Sequence, residues 1–132
     1  MAPSATPKTI LIAEDSGVIQ AITRKILEQQ KYRILIAKNG GEVLRLLEAQ
    51  LESQPVEGVL MDINIPVRNG LDCTRDIRAH ADPRIRELPV IAITGNANNY
   101  SMEQFHEAGI TDYLPKPLDF DALVRMVRQH MG

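Results

Sequence analysis

A parallel α/β sheet is the fold class this sequence predicts, on three observations. Short apolar runs alternate with amphipathic stretches along the whole chain, the pattern of repeated strand–helix units. The runs hold few or no charges, Ile10-Leu11-Ile12-Ala13 being one, as strands of a buried sheet require. Pro55, Pro66, Pro89, Pro115 and Pro117 all fall at the joints between the two kinds of segment, where a missing amide is tolerated.

The first strand is expected over Thr9 to Ala13, and the helix after it begins near Ser16, with Val18, Ile19, Ile22, Ile26 and Leu27 at helical spacing. A second strand over Arg33 to Ala37 leads through Asn39-Gly40 to a helix carrying Val43, Leu44, Leu46, Leu47 and Leu51. The third strand, Gly58 to Asp62, is followed after Asn69-Gly70 by a helix with Leu71, Cys73 and Ile77 inward, fraying before Asp82-Pro83. Val90 to Thr94 is the fourth strand. The next helix spans Ser101 to Ala108 and stops at Gly109, a residue suited to a left-handed cap. Asp112 to Leu114 is the fifth strand, and Asp119 or Asp121 caps a last helix with Leu123, Val124 and Val127 inward.

The 132 residues suit one domain, read as an N-terminal tail over residues 1–7 and a folded unit over residues 8–132. A net charge of -2 argues against bulk attraction to nucleic acid or to an anionic membrane. Cys73 is the single cysteine, which excludes an internal disulfide. No apolar stretch is long enough for a secretion signal or a membrane span, so the expected setting is the cytoplasm.

In a parallel sheet all strands end at one edge, and the side chains at those ends share a narrow chemistry. Glu14-Asp15, Asp62, Thr94 and Lys116 stand just at or beyond the first, third, fourth and fifth strands. Three carboxylates held together repel by about 4 kcal/mol per pair at 4 Å and an effective dielectric of 20, and a bound cation is the simplest relief. Oxygen-only donors in an open site suit Mg²⁺ before Ca²⁺ or Zn²⁺. An amine and a hydroxyl facing such an ion suit an anionic group, phosphate above all.

The segments Ile-Ala-Glu14-Asp15, Leu-Met-Asp62-Ile-Asn-Ile-Pro66 with Asn69-Gly70, Ile-Thr94-Gly and Tyr113-Leu-Pro-Lys116-Pro, in this order and spacing, resemble the receiver domain of two-component response regulators. The resemblance runs from Lys8 to His130. It implies a flavodoxin-like five-stranded sheet in the order 2-1-3-4-5 with helices on both faces. It implies a phosphorelay switch rather than an enzyme proper, one that takes part in its own phosphorylation and dephosphorylation. Asp62 would be the phosphoacceptor, supplied by a histidine kinase, a histidine phosphotransfer protein or a small phosphodonor. Asp15, Asp62 and the Asn64 carbonyl would bind Mg²⁺ directly, and Glu14 through a water. Lys116 would pair with the phosphoryl oxygens, Thr94 would donate its hydroxyl to them, and Tyr113 matches an aromatic switch position. The last strand and the two helices beside it, the one ending at Ala108 and the one after Asp119, would form the face seen by a downstream partner.

Some features depart from the family's commonest pattern. Glu14 stands where aspartate is frequent, Ile65 and Arg68 where methionine is, and Arg68 would carry positive charge to the partner surface. The Gly/Asn-rich loop from Gly95 to Asn99 is expected to be mobile. His80, His106 and His130 show no ligand spacing and read as surface residues, and Arg75, Arg78, Arg84 and Arg86 as a solvated basic face. An Mg²⁺-dependent aspartyl-phosphate hydrolase is the second reading, but such enzymes usually need an acid two residues past the nucleophile, where Asn64 stands. A nucleotide- or flavin-binding module is the third, opposed by the acidic turn Glu14-Asp15-Ser16-Gly17, where a phosphate cradle would need glycines.

Overall fold

The computed structural model describes residues 7–95 and 100–132. In chain order the elements are β1 (Thr9–Ala13), α1 (Gly17–Gln29), β2 (Arg33–Ala37), α2 (Gly40–Gln50), β3 (Val56–Asp62), α3 (Gly70–Arg78), α4 (Pro83–Arg86), β4 (Val90–Thr94), α5 (Met102–Ala108), β5 (Asp112–Pro115) and α6 (Phe120–Met131). All strand pairs are parallel, and the sheet order is β2-β1-β3-β4-β5.

The core has two layers because successive side chains of a strand point to opposite faces. Ile10 and Ile12 of β1 pack with Leu27 of α1 and with Leu123 and Val127 of α6. Leu11 and Ala13 point the other way, against Val43 and Leu47 of α2, Ile77 of α3 and Ile85 of α4. Phe105 and Ala108 of α5 complete that second layer with Ile63 and Ala92.

Helix starts follow their caps. Ser16, Asn39, Asn69, Asp82, Ser101 and Asp119 each accept a hydrogen bond from a backbone amide of the first turn, and Ser101 with Gln104 forms a full capping box. Asp119, not Asp121, is the cap of α6. Helix α5 ends at Gly109, whose φ of 94° is strained for any residue with a Cβ. Gly70 matters for another reason: a Cβ there would lie 2.8 Å from the Asp62 carbonyl oxygen, so only glycine lets α3 start this close to the end of β3.

Several expectations are corrected. Strand β3 starts at Val56 rather than Gly58: a register shift against β1 turns Glu57 to solvent, which breaks the apolar run without ending the strand. The stretch before Pro89 contains the additional short helix α4, started by Asp82 with Pro83 in its first turn. Leu51 lies just past α2. On α1, Val18 and Ile22 are 70% and 40% exposed, so these two members of the apolar pattern face solvent while Leu27 is fully buried.

The arginines and histidines are more engaged than a solvated face implies. Half-buried Arg78 donates to the carbonyls of Gly109 (2.9 Å), Arg86 (2.8 Å) and Leu88 (2.6 Å), tying the end of α3 to α4 and to the end of α5. Its desolvated guanidinium has a lowered pKa. His80 pairs with Glu48 at 2.8 Å and His130 with Asp112 at 3.0 Å, both half-buried; of the three histidines His106 alone is exposed. The expected mobile loop falls, from Asn96 to Asn99, outside the described residues.

Candidate functional site

Strand register decides which side chains meet. Ala13 is level with Met61, Asp62 with Ile93, and Thr94 with Pro115. The residues at or just past those levels, Glu14, Asp15, Asp62, Thr94 and Lys116, therefore converge at the carboxyl edge of the sheet, where α/β proteins form their binding crevice. One carboxylate oxygen from each of Glu14, Asp15 and Asp62 lies within 4.8 Å of the others. Asp15 is exposed, whereas Glu14 and Asp62 are 4% and 3% exposed.

Each buried acid is held from behind. Glu14 accepts the Ser16 amide on Oε2 at 3.0 Å, and its own carbonyl receives the Gln20 side chain at 2.6 Å. Asp62 accepts the Asn64 amide on Oδ1 at 3.0 Å and the Lys116 ammonium on Oδ2 at 3.2 Å. Lys116 also lies 3.9 Å from Glu14 Oε1. Its backbone amide donates to the Thr94 carbonyl at 2.8 Å, which fixes the lysine beside the end of β4. Thr94 is 1% exposed.

One ammonium facing three carboxylates leaves the cluster short of positive charge. Glu14 has a raised pKa: burial is the main cause, and the charges of Asp62 and Asp15 add to it against the Ser16 amide and Lys116. The donors are all oxygens, the cluster opens to solvent at Asp15, and the charge deficit is that of a hard divalent cation, so the residues fit Mg²⁺.

The chain matches the response regulator receiver domain family over residues 10–128. The chain belongs to that family. The receiver domain is 35% identical over 120 residues to the CAI-1 autoinducer sensor kinase/phosphatase CqsS of Vibrio cholerae, an alignment covering 91% of this chain and 17% of that protein. It is 29% identical to the polar-differentiation response regulator DivK of Brucella anthropi, covering 96% of this chain and 98% of DivK. The chain thus spans about a sixth of the first relative and nearly all of the second. Among solved structures it superposes on the receiver domain of the sensor histidine kinase PA1611 of Pseudomonas aeruginosa with a TM-score of 0.82 and 33% identity, covering 96% and 98% of the two chains; that structure has a magnesium ion in its active-site cleft. The chemotaxis response regulator CheY4 of Vibrio cholerae shares the fold, with a TM-score of 0.80, 21% identity and coverage of 94% and 98%.

All the predicted site residues except Tyr113 meet in this crevice. Tyr113, 37% exposed, lies on the edge strand with its ring 5.9 Å from that of Phe105. Arg68 is 2.6 and 3.0 Å from the two carboxylate oxygens of Asp76, so its charge is locally answered rather than displayed. Cys73 is buried, with its thiol pushed up to about 11, and it stays protonated. Sequence reasoning missed Gln20 and Thr23, both on α1 below the acid turn. A polar residue inside an amphipathic helix carries no local mark of function, and only the fold brings Gln20 onto the Glu14 carbonyl and Thr23 to a cavity that Glu14 also lines. Among the described residues no helix is long and apolar enough to cross a membrane.

Proposed function

We propose that Asp62 is the phosphoacceptor of this receiver domain, and that phosphorylation converts the domain between two signalling states. The observation that carries the reading is the setting of the Asp62 carboxylate: at a strand end, one oxygen on the Lys116 ammonium, with two further carboxylates within 4.8 Å. Glu14, Asp15, Asp62 and the Asn64 carbonyl hold Mg²⁺, which when bound screens the negative charge that keeps an anionic phosphoryl group away. An Asp62 oxygen attacks phosphorus, the P–N bond to the donor imidazole breaks, and an acyl phosphate forms while the histidine leaves with the electron pair. Lys116 follows a phosphoryl oxygen, and Thr94 gives that group its hydroxyl hydrogen bond.

The donor is a histidine kinase or histidine phosphotransfer protein. Val18 and Ile22, exposed on the helix that begins beside Asp15, offer it an apolar contact. The added charge of about -1.5 to -2 then biases the end of β4 and the edge strand bearing Tyr113, so that α5, β5 and α6 present a changed face downstream. Against a hydrolase, position 64 carries an asparagine, whose side-chain amide cannot serve as the second acid such an enzyme would need. The direct experiment is incubation with Mg²⁺ and acetyl phosphate: wild type should be labelled and Asp62→Asn should not. Equal incorporation in both would sink the assignment.

A further inference from the structure

Beneath the acid cluster lies a small cavity of about 10 Å³, lined by Glu14, Thr23 and Asp62 against an apolar wall that includes Ile12, Ile93 and Leu118. Thr23 sits in the middle of α1, is 2% exposed, and its hydroxyl has no partner among the described residues. A buried hydroxyl left unpaired is costly, so such groups are nearly always satisfied. The volume is at the lower bound for one water, and among the lining residues Glu14, Thr23 and Asp62 carry side-chain oxygens.

We infer that the cavity is a binding site for one structural water that joins the Thr23 hydroxyl to the Glu14 and Asp62 carboxylates. The water accepts from the Thr23 O–H and donates one hydrogen to each carboxylate. The other sides of those carboxylates are already engaged, Glu14 by the Ser16 amide and Asp62 by Asn64 and Lys116. The water therefore fixes both acids from the interior, and Thr23 acts as a positioning residue for them through it. An apolar residue would be the ordinary choice for a core-facing helix position, and threonine brings the one hydroxyl this cavity needs. The link to metal affinity rests on the reading of the cluster as an Mg²⁺ site; the water itself does not.

The test compares wild type, Thr23→Val and Thr23→Ser by high-resolution crystallography, by urea unfolding in EDTA and by Mg²⁺ titration. Wild type and Thr23→Ser should show density for the water. Thr23→Val, nearly the same shape without the hydroxyl, should lose the water, unfold at lower urea and bind Mg²⁺ about tenfold more weakly. A Thr23 hydroxyl turned onto the Ile19 carbonyl, or a valine variant as stable as wild type or more so, would overturn the site, because removing an orphaned hydroxyl relieves a cost instead of creating one. Water and urea midpoints as expected with unchanged Mg²⁺ affinity would overturn the positioning role. Density and unfolding are read without metal or phosphodonor, so they stand apart from any failure of Asp62 to accept phosphate.

Discussion

Replacing Glu14 by Gln should stabilise the metal-free receiver domain while weakening its hold on Mg²⁺. The carboxylate oxygens of Glu14, Asp15 and Asp62 lie within 4.8 Å of one another. At that spacing and an effective dielectric of 20, each like-charged pair costs about 3.5 kcal/mol. Lys116, 3.9 Å from Glu14, returns about 4 kcal/mol by the same measure. Glu14 thus meets two repulsions and one attraction, and its burial adds a further penalty to the charged form. Solvent around Asp15 and Lys116 reduces all three interactions, which leaves an expected gain for Glu14→Gln of about 1–2 kcal/mol, or roughly 4–8 °C in Tm. Glutamine keeps an acceptor for the Ser16 amide, so the turn survives. Thermal unfolding in EDTA and in saturating Mg²⁺ is the assay. In EDTA the variant should melt above wild type; in Mg²⁺ the order should narrow or reverse. The sign with pH comes from the raised Glu14 pKa: between the ordinary value of 4.5 and its own higher one, the folded state keeps a proton that the unfolded chain has lost. Metal-free wild type should therefore lose stability as pH rises through that window, and Glu14→Gln should lose less. A variant melting below wild type in EDTA would refute the account.

Three further outcomes are expected. Lys116→Ala removes the ammonium that competes with a cation for the acids, so Mg²⁺ binding should be retained or tighter in a titration, while labelling of Asp62 slows about 100-fold in a rate measurement. Thr94→Ala should accept phosphate at Asp62 but show smaller amide shifts around Tyr113 on adding beryllofluoride; shifts as large as wild type would remove Thr94 from the route. Arg78→Met, which strips the donor from the Gly109, Arg86 and Leu88 carbonyls, should lower unfolding free energy by about 2–3 kcal/mol in urea without changing Mg²⁺ affinity.

What the sequence determined by itself was whatever depends on local chemistry. Apolar runs too short for helices had to be strands, and Ser16, Asn39, Asn69 and Asp119 start helices because their side chains bind amides three residues on. The acids, hydroxyl and amine at the strand ends were legible because parallel strands share one carboxyl edge, and the ordered motifs carried the family and its sheet order. What only the tertiary structure decided was whatever depends on which helix face another element covers. Val18 and Ile22 fit the helical pattern, yet both stay exposed because their side of α1 is turned from the sheet. Arg78 looks like its charged neighbours until three carbonyls from distant segments close on it. Arg68 meets Asp76, and Thr23 meets the underside of the acid cluster, only after the chain has folded. Local pattern fixes periodicity, and burial belongs to pairs of elements, so a polar group's partner in the core cannot be read from the residues beside it.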